Sequence, residues 1–258
     1  MKKLLFWMVL IVGIIAVIGA CKKSEDDTTT AAATSCAGKN TFTIASSCSD
    51  TASGSITGID NASLSGTFSQ FHIYGLAGGY SVDNSTDCID NSTIIASWAN
   101  TVGYPTGTTS AIVNYVVTSS STFAQRFKFY SDSGCSTELA SIVIGHDDIS
   151  NGGRASGLDT SAGRPSTASK LTYNISCAKF KGSTAAGVTW IKTILDGTDP
   201  TVGTEYTCDI GTNARYALMF VDNSSGGALA YGNIITFEES ETAVPDNWSD
   251  PDTMYTLP

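Results

Sequence analysis

The chain predicts an all-β antiparallel fold, either a closed barrel or a sandwich. Three observations predict it. Apolar residues recur with period two in short runs. Phe123, Phe127 and Phe129 share one parity against Arg126 and Lys128, and Leu171, Tyr173, Ile175 and Cys177 share one against Thr172, Asn174, Ser176 and Ala178. That alternation marks strands with one dry face. Clusters of Gly, Ser, Asn and Asp separate the runs, with the chemistry of turns. No long stretch carries a helical period, and nothing repeats at a fixed spacing.

The first 20 residues stand apart from this pattern. Met1-Lys2-Lys3 is a basic head, Leu4 to Ile18 is apolar and uncharged, and Gly19-Ala20-Cys21 sets small residues before a cysteine. This is the layout of a secretory signal. It also resembles the bacterial lipoprotein lipobox, which implies that Cys21 becomes a lipid-bearing first residue. A single acyl chain holds weakly and stable anchoring needs two or more; lipoprotein processing supplies them, so the membrane is an expected partner through Cys21. Lys22 follows, and the resemblance to lipoprotein sorting points to the outer membrane. From Lys22 to about Asn40 the sequence has no period and little apolar content, as expected of a flexible tether.

Within the β-domain, Thr41 to Ser46 is a candidate first strand, Leu64 to Tyr74 the next and Thr93 to Trp98 a short apolar one. Tyr104-Pro105-Thr106-Gly107 reads as a turn. Ala111 to Val117 is β-branched and apolar on both faces, as a central strand requires. Thr122 to Tyr130 then turns through Ser131-Asp132-Ser133-Gly134, with Gly134 free to take positive φ, and Ser141 to Ile144 returns. Asp147 to Ser166 reads as a long polar loop. Leu171 to Ala178 is the cleanest amphipathic strand. The β-branched content of Val188 to Leu195 favours strand over helix. Ala214 to Val221 and Leu229 to Glu238 form a closing hairpin around 223–227. The expected organisation is therefore a signal peptide over 1–20, a tether over 21–40, a disulfide-linked β-domain over 41–240 and an acidic tail over 241–258.

Charge and cysteines narrow the setting. Without Lys2 and Lys3, 12 of the 14 Lys and Arg residues oppose 24 Asp and Glu, a formal charge of −12. Such a surface repels phosphate backbones, so no nucleic-acid partner is expected. After Cys21, six cysteines remain: Cys36, Cys48, Cys88, Cys135, Cys177 and Cys208. An even number in an exported chain argues for disulfides, and the count leaves many pairings open. No CxxC spacing suggests zinc. Cys36 and Cys48 bracket one short strand, while Cys177 ends one strand and Cys208 leads to the closing hairpin. Local pairing therefore predicts Cys36–Cys48 and Cys177–Cys208.

Catalytic chemistry is sparse. G-x-S-x-G, G-x-G-x-x-G and G-x-x-x-x-G-K-[ST] are all absent. The two histidines are His72, within a strand, and His146, beside Asp147 and Asp148 in what reads as an acidic turn, because neighbours on a strand face opposite ways. Neither an enzyme nor a cofactor or metal is expected. Aromatics on the proposed strands, Phe127, Phe129, Tyr173, Trp190, Tyr216 and Tyr231, either fill a core or line a pocket.

Several short motifs resemble those of bacterial secreted lipocalin-like proteins: Gly66-Thr67-Phe68 in an early strand, Tyr130-Ser131-Asp132-x-x-Cys135 at the central turn, then Trp190, Cys208, Tyr216 before Val221-Asp222, and Leu229-x-Tyr231-Gly232-Asn233. The match runs over about residues 62–237. Phe68 stands where that family has Trp, no cysteine follows it closely, and 147–166 looks inserted. The resemblance implies an up-and-down antiparallel barrel of about eight to ten strands, with a β-sandwich as the alternative. It implies that Cys88 approaches the turn and pairs with Cys135. It also implies an interior that holds a small apolar ligand, with a monomer expected; the alternative is a structural or adhesive surface lipoprotein with a filled core.

Overall fold

The computed structural model describes residues 48–59, 62–73, 87–90, 104–161, 164–194, 199–222, 234–248 and 252–255. Cys21, Cys36, Tyr231 and the expected strands at Thr41 to Ser46 and Thr93 to Trp98 lie outside them. A small hairpin, β1 (Ile56–Ile59) and β2 (Ala62–Leu64), forms its own sheet. The barrel is β3 (Thr67–Ile73), β4 (Ser110–Val117), β5 (Phe123–Tyr130), β6 (Glu138–Ser156), β7 (Thr167–Gly182), β8 (Glu205–Asp222), β9 (Ile234–Ser240) and β10 (Asp252–Tyr255). Each strand pairs antiparallel with the next, and β10 pairs with both β9 and β3. The ring is therefore a closed up-and-down barrel of eight strands, and closure removes the sandwich alternative.

Register explains the core. Val113 faces Phe127 and Phe127 faces Ile142, while Phe180 faces both Ile142 and Tyr206. These side chains point inward and pack together, with Phe68, Phe123, Phe129 and Leu171 in the same cluster. Two bulges keep the pattern inward as the barrel curves. Against β6 the register shifts where Gly145 pairs with Cys177 and His146 with Ile175, leaving Ser176 as the extra residue on β7; against β7 it shifts where Cys177 pairs with Asp209 and Ile175 with Asn213, with the extra residues on β8. The inward residues of β6 stay even-numbered from Ala140 to His146, while those of β7 switch from Phe180 and Ala178 to Ile175, Tyr173 and Leu171, and those of β8 from Tyr206 to Ala217 and Met219.

A strap formed by 48–53 crosses the outside wall. Cys48 is bonded to Cys177 on β7 with Cα atoms 5.8 Å apart, and Ser53 donates its N–H to Val117 O. Cys48, Cys177, Ala124 and Val143 form a small buried cluster under it. Gly145 makes room: a Cβ there would lie 2.3 Å from Cys177 Sγ. The second bond joins Cys88 to Cys135, Cα atoms again 5.8 Å apart, as the family resemblance implied. The Cys48–Cys177 bond corrects the expected Cys36–Cys48 and Cys177–Cys208 pairs. Pairing by sequence proximity fails because the strap reaches across four strands to find its sulfur. Cys208 sits on β8 across from Ala178.

Four further expectations change. The first half of the loop expected at 147–166 is strand: β6 runs on to Ser156 and pairs with β7 through Ser156↔Thr167, with register shifts that use the Asp, Asn and Gly residues that suggested a loop. The positive φ at the central turn belongs to Cys135, at 52°, rather than Gly134. Asp132 closes that turn by accepting from the N–H groups of Gly134, Ser136 and Thr137, which holds its carboxyl down at about 2. The acidic tail is part of the fold. Trp248 is buried against Leu158, Ala168 and Leu218 and donates Nε1–H to Pro165 O at 2.7 Å, and β10 closes the ring.

The fourth is a helix, α1 (Ala185–Ile194), where a strand was expected. Thr184 caps it, its hydroxyl accepting from Gly187 N–H at 3.2 Å. Trp190, Ile191 and Ile194 recur at helical spacing and enter the barrel core. The approach is close, since a Cβ on Gly187 would lie 1.9 Å from Leu139 O. Alanine is the better helix former by about 1 kcal/mol, yet Gly187→Ala is expected to cost about 3 kcal/mol through overpacking against backbone. Urea unfolding checks this, and a stabilised Gly187→Ala chain would contradict the contact.

Candidate functional site

The barrel interior has two zones. At the helix end, the Trp190 ring meets Phe129 edge-on with centroids 5.1 Å apart. Phe127, Phe129, Phe180, Tyr206 and Trp190 fill this end, and none exposes more than 6% of its surface. Of the aromatic candidates, Phe127, Phe129 and Tyr173 are therefore core residues on strands, and Trp190 is a core residue on a helix. Tyr216 is half-buried and lies on the opposite parity of β8 from Arg215 and Ala217, so it is not brought to the interior group.

The second zone is polar, and sequence reasoning did not pick it out. His146 lies flat on Phe123, centroids 4.3 Å apart, and edge-on to Tyr173 at 5.3 Å. Arg215, opposite Tyr173, points inward and brings Nε to 3.3 Å from Glu239 Oε1, both side chains 5% exposed. Its Nη2 lies 3.0 Å from Glu241 at the rim, and Nη1–H donates to Ala214 O. Gln125 donates to the Tyr115 hydroxyl at 2.7 Å in the adjoining layer. Parity carried the signal: Arg215 shares its parity with Ala217, Met219 and Val221, and Glu239 with Phe237.

Burial sets the charges here. Desolvation, reinforced by the Arg215 charge, pushes the His146 imidazole down to about 3, so the ring is neutral. Its Nδ1 has no hydrogen-bond partner. Desolvation raises Glu239 to about 7 even though Arg215 pulls the other way. The 3.3 Å ion pair argues for a carboxylate and the raised value for a carboxylic acid. The guanidinium and carboxyl are close but not aligned as a hydrogen bond, so burial outweighs their attraction. Burial and then the Glu239 charge raise the Tyr173 phenol well above its usual range.

Among the described residues no three His, Cys, Asp or Glu side chains converge on a metal position. His146 belongs to a strand interior rather than an acidic turn, and Asp148 accepts from Asn174 Nδ2 at 3.3 Å. His72 lies on β3 opposite Thr253. The arrangement sets a buried cation beside one buried carboxyl and one at the rim. No family model matches the chain, and no curated protein matches it.

Proposed function

We propose that the chain is a lipid-anchored envelope protein, tethered at Cys21 to the outer membrane, whose lipocalin-like barrel is a packed structural or adhesive scaffold. The observation that carries this reading is the interior. Ten inward aromatics, Phe68, Tyr115, Phe123, Phe127, Phe129, Tyr173, Phe180, Trp190, Tyr206 and Phe237, each keep 6% or less of their surface accessible to water. Side chains lining a space for an apolar ligand would retain surface facing that space. A buried Arg–Glu pair also makes a poor wall for an apolar guest. Recognition then falls to the outside wall.

Two measurements test it. Titration with fatty acids and hydrophobic dyes is expected to show no saturable binding; a stoichiometric complex displaced by mutation of Phe127 would restore the apolar-ligand reading. In cell fractionation the wild-type protein is expected with the outer membrane, and Cys21→Ala is expected to be released or stalled uncleaved. A Cys21→Ala protein that is cleaved and still membrane-bound would contradict the lipid anchor.

A further inference from the structure

The outside wall carries an unusual concentration of cations for so acidic a chain. Four of its 14 Lys and Arg residues, Arg126, Lys128, Lys179 and Lys181, line one groove across β5, β6 and β7. Register arranges them in two cross-strand rows. Arg126 faces Val143, which faces Lys179. Lys128 faces Ser141, which faces Lys181. All four side chains are half-buried.

The two rows differ in occupancy by acid. In the first, the strap lays Asp50 between the cations: its carboxylate lies 2.8 Å from Lys179 Nζ and 3.9 Å from Arg126 Nη1. Burial of Asp50 is outweighed by Lys179 and Arg126, and its carboxyl is held below the usual range. The chain itself thus shows that one row accepts an oxyanion. In the second row, neither lysine forms an ion pair with a carboxylate among the described residues. Glu138, on the groove's edge, accepts from the Ser183 hydroxyl at 2.6 Å, and Glu205 is the exposed neighbour of Lys181 on β8.

We propose that Lys128, Ser141 and Lys181 bind a phosphate monoester on the outer wall. The lysines lie two strands apart, about 10 Å between backbones, with the serine hydroxyl midway. Two flexible ammonium groups can close on one tetrahedral dianion from opposite sides while the hydroxyl donates from below. A monocarboxylate would leave one lysine uncompensated. The groove that holds both rows has a volume of about 120 Å³ and opens to solvent, which leaves room for a phosphate group. The rest of the ligand stays in solvent. Lysine binds phosphate as a point charge, so the site selects charge rather than the alcohol attached.

This rests on the outer wall being the recognising surface, and the test separates the two. Full-length protein in neutral detergent micelles is titrated at 0.15 M salt with inorganic phosphate and with glucose 1-phosphate, and in parallel with micelles doped with phosphatidic acid. Saturable binding of the soluble ions identifies a free ester as the source, and binding confined to doped micelles identifies a lipid headgroup; both support the site. Lys128→Gln and Lys181→Gln are each expected to weaken binding about tenfold, and exposed Lys192→Gln to leave it unchanged. Single Lys→Gln changes on a wall cost little stability, so each variant is read with its own melting curve. No binding in either arm, or equal loss in Lys192→Gln, overturns the proposal while the scaffold reading stands. Saturable apolar-dye binding instead overturns the scaffold reading whatever the phosphate result.

Discussion

Replacing Cys48 and Cys177 together by alanine is expected to remove about 3–5 kcal/mol of unfolding free energy. The bond closes a sequence separation of 129 residues, the longer of the two described, against 47 for Cys88–Cys135. Chain entropy alone assigns such a loop about 5 kcal/mol and the shorter one about 4. The bond also holds the strap that delivers Asp50 to Lys179 and Arg126, so its loss releases that ion pair and uncovers Ala124 and Val143. Denaturant unfolding of oxidised wild type and variant measures the difference. A loss below about 1 kcal/mol would mean that contacts alone hold the strap. Gly145→Ala should mimic part of the effect, because its Cβ would press on the same sulfur.

Arg215→Met is expected to cost about 3–5 kcal/mol at pH 8 and clearly less at pH 5.5. Truncating one partner of a buried pair strands the other, but Glu239 can escape by taking a proton. In the folded protein burial raises Glu239 from 4.5 to about 7, so the native state holds more protons than the unfolded chain across that interval and stability falls as pH rises through it. Burial lowers His146 from 6.5 to about 3, so its contribution is complete above 6.5 and is lost as pH falls toward 3. Between 4.5 and 6.5 the two slopes oppose and cancel. Wild type should therefore show a stability plateau there, declining toward neutral pH and again below 4.5. Removing Arg215 raises Glu239 further and extends the alkaline decline, and Arg215→Met with Glu239→Leu should recover much of the loss at pH 8. Urea titrations at several pH values check each limb. An Arg215→Met penalty independent of pH would show that packing, not charge, is what Arg215 supplies.

Where local physics and the tertiary solution agreed, the fold was legible. Ala111 to Val117 and Phe123 to Tyr130 are strands because β-branched and aromatic residues suit a pleated face, and both pair as that predicts. Leu171 to Ala178 was legible too, apart from the bulge that shifts Cys177 outward. Val188 to Ile194 misled because its β-branched residues resist a helix only weakly; the Thr184 cap and three apolar side chains on one helical face outweigh that preference. The 147–156 stretch misled because a bulged strand and a loop draw on the same residues. Acidic composition hid the closing strand β10, although buried Trp248 was the available clue. The inner polar zone could have been read from the parity of Arg215 and Glu239. The cationic groove could not, since its rows exist only once three strands are in register.

The strap decides how the molecule bears load. Tension applied to the chain ahead of Cys48 is passed at Cys48 through a covalent bond into β7. That strand is hydrogen-bonded on both flanks, to β6 and to β8, along most of its length. A pull therefore does not unzip a terminal strand one hydrogen bond at a time. It tugs sideways on the wall's most firmly clamped member, so that many bonds must yield together before the shell opens. With that disulfide formed, force reaches the barrel at its middle rather than at its end.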